Sequence, residues 1–259
     1  MKHLSQLISN IALLLIVFVI STNAHTHIRD ITINGHQYDR KECLRPWGYY
    51  MNYPVVNMTG FELRCGYGGR NPIDTVCPAP AGSELKFHWR SENGEPDEDV
   101  VYYNHVGPCL VYMAPLESNG VGDVWFKVYE EGYNTETKQW CTSRLIENGG
   151  YLNFTLPKDI PSGEYLVRGE LIALHFAKEV WDLEKQQGPQ LYINCAQIKL
   201  TGGDDNDGTG LPEKTVSFPG AYKATDPGLL IDVDKADLSK YVIPGPPVYN
   251  AVDGGSESK

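Results

Sequence analysis

Residues 84–89 read Glu-Leu-Lys-Phe-His-Trp, so Leu85, Phe87 and Trp89 alternate with Glu84, Lys86 and His88. A period of two sends one set to a buried face and the other toward solvent, the pattern of a half-buried strand. Fragments of the same kind lie on both sides, at 28–33, 107–114, 124–129, 151–156, 165–171 and 190–200. Turn-rich stretches at 66–72, 91–97, 117–123 and 148–150 separate them, in keeping with 26 Gly and 17 Pro. Short strands divided by turn signals predict an all-β sandwich or barrel. No helical period is sustained; residues 176–185 have room for one or two helical turns at most. No internal repeat is visible.

The whole chain has 259 residues, enough for one large domain or two small ones. Its hydrophobic content, 41%, is sufficient for a core and argues against a disordered chain. The net charge of -11 argues against a basic face for phosphate backbones and against a polybasic membrane role, so neither nucleic acid nor membrane is an expected partner. An uncharged polysaccharide escapes that objection. Tyrosine is the unusual count, 16 against 7 Phe and 5 Trp.

Residues 1–24 read as a secretory signal peptide: Lys2, an apolar run at 11–20, then small residues before Ala24. The apolar run is too short to span a bilayer comfortably. Cleavage after Ala24 leaves His25 as the first residue, and the protein is expected outside the cell. Secretion also changes the reading of Cys43, Cys65, Cys77, Cys109, Cys141 and Cys195. None forms a Cys-x-x-Cys pair, so zinc and thioredoxin-like readings are weak, and three disulfides of open connectivity are expected. Asn57-Met58-Thr59 and Asn153-Phe154-Thr155 are acceptor sequons for N-glycans at Asn57 and Asn153.

After Thr201 the character shifts. Residues 202–210 are Gly/Asp-rich and read as a loop or linker. Apolar and turn residues then return, which suggests a long extension packed over the same domain. Residues 25–249 therefore read as a single domain and 250–259 as a disordered tail, with no hydrophobic tail for a glycolipid anchor.

A terminal His25 carries two nitrogen donors, the α-amine and imidazole Nδ1, which can close a chelate ring on one ion. The amine has a pKa of about 7.7–8.0, so deprotonating it costs only about 1 kcal/mol at neutral pH. One further imidazole completes a T-shaped nitrogen set, which favours Cu(II) over tetrahedral zinc. Of the other histidines, His27 shares a strand face with His25 and is a possible competitor ligand. His36 follows a turn and is expected in solvent. His88 lies in a strand between aromatics. His105 sits in a loop before a strand, where sandwiches place function. His175 lies in the apolar run Ala173-Leu174-His175-Phe176-Ala177 and needs a hydrogen-bond partner or a role there.

The following motifs occur together and in order. His105-Val106-Gly107-Pro108 precedes Leu110-Val111-Tyr112-Met113-Ala114, and Trp125-Phe126-Lys127-Val128 follows. Residues 161–175 read Pro-Ser-Gly-Glu-Tyr-Leu-Val-Arg-Gly-Glu-Leu-Ile-Ala-Leu-His. Next come Gln190-Leu191-Tyr192-Ile193-Asn194-Cys195, then Pro219-Gly220-Ala221-Tyr222 to Asp226-Pro227-Gly228, then Tyr241-Val242-Ile243-Pro244. With His25 after a signal peptide, the chain resembles the fungal lytic polysaccharide monooxygenases of auxiliary-activity family nine, to about Tyr249. Each motif is weak alone; their order and spacing together are specific.

The resemblance implies an immunoglobulin-like or fibronectin-like antiparallel β-sandwich with long loops. It implies one copper ion held by His25 and His105, with the Tyr192 phenol in an axial position. His175 and Gln190 would lie beside it as catalytic second-sphere groups. The implied reaction is oxidative cleavage of glycosidic bonds in cellulose, xyloglucan or related β-glucans. It proceeds by hydrogen abstraction at C1 or C4, with hydrogen peroxide or with dioxygen plus an external electron donor. Tyr241 and Tyr222 are nominated as sugar-stacking residues, with the tyrosines of Trp47-Gly48-Tyr49-Tyr50 as similar candidates. The resemblance also implies a Cys65–Cys195 bridge. Cys109 and Cys141 are expected to join neighbouring strands, and Cys43 and Cys77 remain as a pair. The protein is expected to be a monomer.

Two rivals belong to other classes. A hydrolytic glycosidase needs facing carboxylates, but the acidic residues cluster in loops at 92–99 and 204–207 and no pair stands out. A secreted non-catalytic copper- or carbohydrate-binding sandwich would keep His25 and His105. The joint presence of His175, Gln190 and Tyr192 argues for catalysis.

Overall fold

The computed structural model describes residues 25–46, 52–91, 100–182, 185, 187–204, 212 and 214–249. The expected signal peptide, the Trp47-Gly48-Tyr49-Tyr50 aromatics, residues 92–99, residues 205–210 and the tail 250–259 lie outside the described residues.

The strands in chain order are β1 (His27–Ile33), β2 (His36–Tyr38), β3 (Cys77–Pro80), β4 (Glu84–Arg90), β5 (Cys109–Pro115) and β6 (Phe126–Glu131). They continue as β7 (Tyr133–Asn134), β8 (Gln139–Trp140), β9 (Tyr151–Thr155), β10 (Gly163–Ala173) and β11 (Gln190–Thr201). One sheet has the order β2-β1-β4-β9 and the other β3-β11-β10-β5-β6, with β7-β8 as a separate two-stranded ribbon. In β4, Leu85, Phe87 and Trp89 are fully buried, as the period-two reading predicts. They meet Val111, Val167 and Ile198 of the second sheet in one core cluster, which makes the two sheets a sandwich. Gly169 of β10 faces Ile28 and Phe87 of the other sheet. A Cβ there would stand 2.7 Å from Ile28 Cδ1 and 2.8 Å from Phe87 Cδ2, so only glycine lets them meet at that point.

The sandwich is not wholly antiparallel as expected: β3 runs parallel to β11, with Cys77 opposite Ile198. Pro78 and Pro80 cannot donate to a ladder, which confines β3 to an edge and hid it from the period-two reading. A second correction concerns α1 (Cys141–Glu147), which the sequence reading missed. It has only two turns and no side-chain N-cap bond, so it lacks the local signals of a helix. Residues 176–185 contain turns rather than helix in their described part.

Three disulfides close, Cys43–Cys77, Cys65–Cys195 and Cys109–Cys141, at Cα separations of 5.6, 5.1 and 5.7 Å. The last joins β5 to the first residue of α1, not two strands. The outer face of the second sheet carries its own apolar cluster, including Tyr112, Trp125, Phe218, Tyr222 and Leu229. Val216, Ile231 and Ile243 pack against this cluster as well. Val216 bridges Trp125, and the Tyr249 N–H donates to the Lys127 carbonyl at 2.6 Å. Beneath them Arg168 and Glu170 are fully buried as a bidentate pair, at 2.7 and 3.0 Å.

Candidate metal centre

The site forms at one end of the sandwich because four chain segments are tied there. β10 ends and β11 begins at this end, with Ala173 opposite Gln190 and Leu171 opposite Tyr192. β5 begins beside them, with Cys109 opposite Leu171. The start of β1 is fixed to β11 by the Ile28 N–H, which donates to Asn194 Oδ1 at 2.8 Å. That bond places His25, two residues before β1, over Tyr192. The ring centroids of His25 and Tyr192 are 6.4 Å apart, and those of His105 and Tyr192 are 6.0 Å apart.

His105 is held by the loop before β5. Its N–H donates to Tyr102 O at 2.9 Å, and Leu174 N–H donates to Val106 O at 2.8 Å. Gly107 packs hard against β10: an added Cβ would lie 1.8 Å from the Ile172 carbonyl oxygen. This explains the glycine of the His-Val-Gly-Pro motif. Gly107→Ala must push the His105 loop off β10, and overpacking of this kind costs about 1–3 kcal/mol. We expect that loss in denaturant unfolding of the metal-free protein, accompanied by weakened copper binding. Unchanged stability and affinity would show that the loop relaxes without moving His105.

The electrostatics favour a metal over a proton. Burial lowers the His25 pKa. Burial, then His175 and His25, lower that of His105 to about 3. Both imidazoles are therefore neutral at ordinary pH, the form that ligates. His105 Nδ1 is 2.8 Å from Asn104 Oδ1, so Nδ1 carries the proton and Nε2 the lone pair. His175 stacks on His105 at 4.1 Å, and burial lowers its pKa to about 4. Its Nδ1 is buried and has no hydrogen-bond partner among the described residues. Tyr192 is buried, which raises its phenol pKa and keeps it protonated. Its hydroxyl donates to Gln190 Oε1 at 3.1 Å.

The donor set is thus two neutral imidazoles and a phenol oxygen, and no group of three or more His, Cys, Asp or Glu side chains that could hold a metal ion occurs among the described residues. A third nitrogen becomes available only as the α-amine of His25 once residues 1–24 are removed. A nitrogen-rich, carboxylate-poor set fits copper rather than calcium or magnesium.

The structure brings His25, His105, His175, Gln190 and Tyr192 together, and leaves Tyr222 and Tyr241 elsewhere. Tyr222 is 3% exposed, and its hydroxyl donates to Glu170 at 2.6 Å, so it has no face for a sugar. Tyr241 is half-buried, packs edge-on against Trp140 at 4.7 Å and donates to Gly228 O. The burial of Tyr222 corrects its nomination as a sugar-stacking residue, while Tyr241 packs against Trp140 of β8. His27 is fully buried, and burial lowers its pKa to about 4. His36 is exposed at the start of β2, and His88 is buried beside Asp30 at 2.9 Å. The exposed aromatics near the site are ones that sequence reading missed. Tyr53 lies 4.4 Å from His25 and is half exposed, held by the Val55–Leu191 bridge. Tyr102 and Tyr103 precede His105, and Phe176 follows His175; all are exposed. Exposed Tyr immediately before the His105 motif was the available signal; Tyr53 had none.

The family model for Auxiliary Activity family 9 (formerly GH61) matches residues 25–241. An AA9 family lytic polysaccharide monooxygenase A of Armillaria gallica is 36% identical over 252 residues, covering 95% of each chain. One from Aspergillus fumigatus is 38% identical over 205 residues, 79% of this chain and 55% of the relative. The chain thus spans about half the length of that relative. Among solved structures, CvAA9A is 32% identical with a TM-score of 0.79, over 87% of this chain and 98% of its own. A cellulose-active polysaccharide monooxygenase from M. thermophila is 27% identical with a TM-score of 0.68, over 87% of this chain. On the extent of these matches, the chain belongs to Auxiliary Activity family 9.

Proposed function

We propose that the chain, secreted and processed to a terminal His25, is a copper-dependent monooxygenase that cleaves glycosidic bonds of β-glucans such as cellulose or xyloglucan. The observation that carries this reading is the meeting of His25, His105 and Tyr192 beside His175 and Gln190 at an end of the sandwich rimmed by exposed tyrosines. Residues 25–249 act as one catalytic domain, monomeric, with an external electron donor as the second partner.

When bound, copper supplies the one-electron chemistry by which hydrogen peroxide, or dioxygen with a reductant, removes hydrogen from a sugar C1–H or C4–H. The chain's own groups do the rest. His25 and His105 hold the metal through neutral nitrogens, and Tyr192 offers a protonated, weakly donating oxygen. Gln190 fixes the Tyr192 hydroxyl. His175, neutral and buried against His105, keeps one ring N–H to donate toward the reacting oxygen. Tyr53, Tyr102 and Tyr103 present ring faces on which pyranose rings can stack.

The test loads the processed protein with one equivalent of copper. It supplies ascorbate and peroxide on amorphous cellulose and xyloglucan, and reads products by mass spectrometry. Oxidised oligosaccharides that vanish in His25→Ala and in metal-free protein are expected. Copper binding without oxidised product on any glucan would sink the enzymatic reading. In the same assay His175→Ala should slow oxidation about 10–100-fold, the usual cost of removing a group that orients a metal site. Its copper affinity should change less than its rate; an equal loss in both would make His175 a support for His105 only.

A further inference from the structure

We infer that Asn153 carries an N-linked glycan whose first sugars seat in the cleft between β9, α1 and β6. The inference rests on the secretory entry proposed above. β9 is an edge strand of its sheet, and its burial alternates so that Tyr151, Asn153 and Thr155 point outward. Asn153-Phe154-Thr155 is an acceptor sequon, and here its amide lies on a regular, exposed strand face. Beside it opens a cleft of about 510 Å³, lined by Tyr129, Gln139, Arg144, Tyr151 and Asn153 among others. That volume lies in the range of pockets that bury small ligands, about 300–1,000 Å³.

The cleft suits a sugar with an N-acetyl group. Tyr151 is 38% exposed, and one face of its ring stacks on His88 at 4.2 Å with a 10° angle between planes. His88 is itself pinned by Asp30 and by the Arg90 Nε–H, each at 2.9 Å. The Tyr151 ring is therefore held in place before any sugar arrives, which removes the ordering cost of a stacking platform. Gln139, which donates to Glu147 at 2.7 Å, and Arg144, paired with Glu131, place amide and guanidinium groups at the same opening for sugar hydroxyls and the N-acetyl carbonyl. Asn57 contrasts with this. Its Oδ1 accepts from the Thr59 N–H at 3.0 Å and the Thr59 hydroxyl at 2.8 Å, which closes the sequon on itself in a turn.

The glycan also answers a hazard of the fold. An edge strand exposes backbone groups that can pair with another chain, and proteins blunt such edges with hydrophilic bulk or charge. A glycan rooted in the middle of β9 would cover that edge. The attachment needs a lipid-pyrophosphate-linked oligosaccharide as co-reactant. Asn153 Nδ2 attacks its anomeric carbon, the C1–N bond forms, the C1–O bond to pyrophosphate breaks, and the amide loses one proton.

The test is secretion of the full chain from a fungal host. Asn153 occupancy is read by enzymatic deglycosylation in heavy-oxygen water and peptide mass spectrometry. Near-complete occupancy at Asn153 is expected. In NMR of protein trimmed to one sugar, the N-acetyl methyl at Asn153 should move upfield from its free-glycan position, and return toward it in Tyr151→Ser. Asn153→Gln and Thr155→Ala, which remove the sequon in different ways, should each lower Tm by several degrees. Secreted protein with Asn153 unmodified would overturn the site while leaving secretion intact. A methyl signal at the free-glycan position would overturn the seating. Protein retained in the cell with residues 1–24 attached would overturn the secretory reading and this inference together.

Discussion

Protein beginning at His25 should bind one copper ion, and a single residue placed before His25 should weaken that binding more than 100-fold, or by more than about 2.7 kcal/mol. The reason is chemical rather than steric. The added residue turns the α-amine into a peptide nitrogen, whose lone pair is delocalised into the C–N bond. One donor is lost, and with it the chelate ring through His25. The remaining set is two imidazoles and the protonated Tyr192 oxygen, with no carboxylate or thiolate ligand cluster among the described residues to compensate. Groups that merely orient a ligand cost about 10–100-fold when removed, so loss of a ligand should exceed that range. The metal-free stability of the extended protein should match that of the processed one, because His25 precedes β1 and carries no ladder hydrogen bond of that strand. Copper should raise the Tm of the processed chain, since a ligand at a hundred times its Kd stabilises by about 2.7 kcal/mol. Competition titration and thermal unfolding of both proteins decide the matter. Affinities within threefold of each other would mean that the amine is not a ligand.

Much of the sandwich was legible in the sequence, for a physical reason. β9 is buried on alternate residues and β4 nearly so, and period two survives in their letters, while β1 and β11 are bounded by turn residues. β10 was read short, as 165–171 against Gly163–Ala173, because both its faces are buried and its ends do not alternate. β3 was missed because prolines mask a strand, and α1 because two turns give too few residues for a helical period. The site divides in the same way. His105, His175, Gln190 and Tyr192 lie within short motifs whose order carries the family, so they could be named before any fold was known. Tyr53 could not. It reaches His25 through the pairing of Val55 with Leu191, a contact that no local pattern encodes. Tyr222 shows the converse error. A tyrosine in a loop reads the same whether its hydroxyl faces a sugar or Glu170, and only burial separates the two.

Glu170→Ala should destabilise the protein by about 3–5 kcal/mol, the usual cost of breaking a buried ion pair from one side. Arg168 and Glu170 lie two apart on β10, so both point to the outer face of the second sheet, and both are fully buried there. The guanidinium donates to both carboxylate oxygens and, through Nε, to Leu63 O at 2.9 Å. It also lies 4.1 Å from the Phe218 ring centroid. Without Glu170 that cation stays buried with one carbonyl and the ring faces of Phe218 and Tyr112 beside it. The Tyr222 hydroxyl loses its carboxylate acceptor at the same time, keeping only Tyr112 at 3.0 Å. Since Tyr222 shares the outer-face cluster with Phe218 and Leu229, the chain around them should become more protease-sensitive as stability falls. The paired substitution separates charge from packing. Arg168→Met with Glu170→Leu removes both charges at similar volume, and such replacements are often neutral or stabilising by about 1–4 kcal/mol. Denaturant unfolding of the single and double variants should therefore give a double variant more stable than Glu170→Ala. A double variant as unstable as the single one would show that the pair's hydrogen bonds to Leu63 and Tyr222 hold this face, and that unpaired charge is not what costs stability.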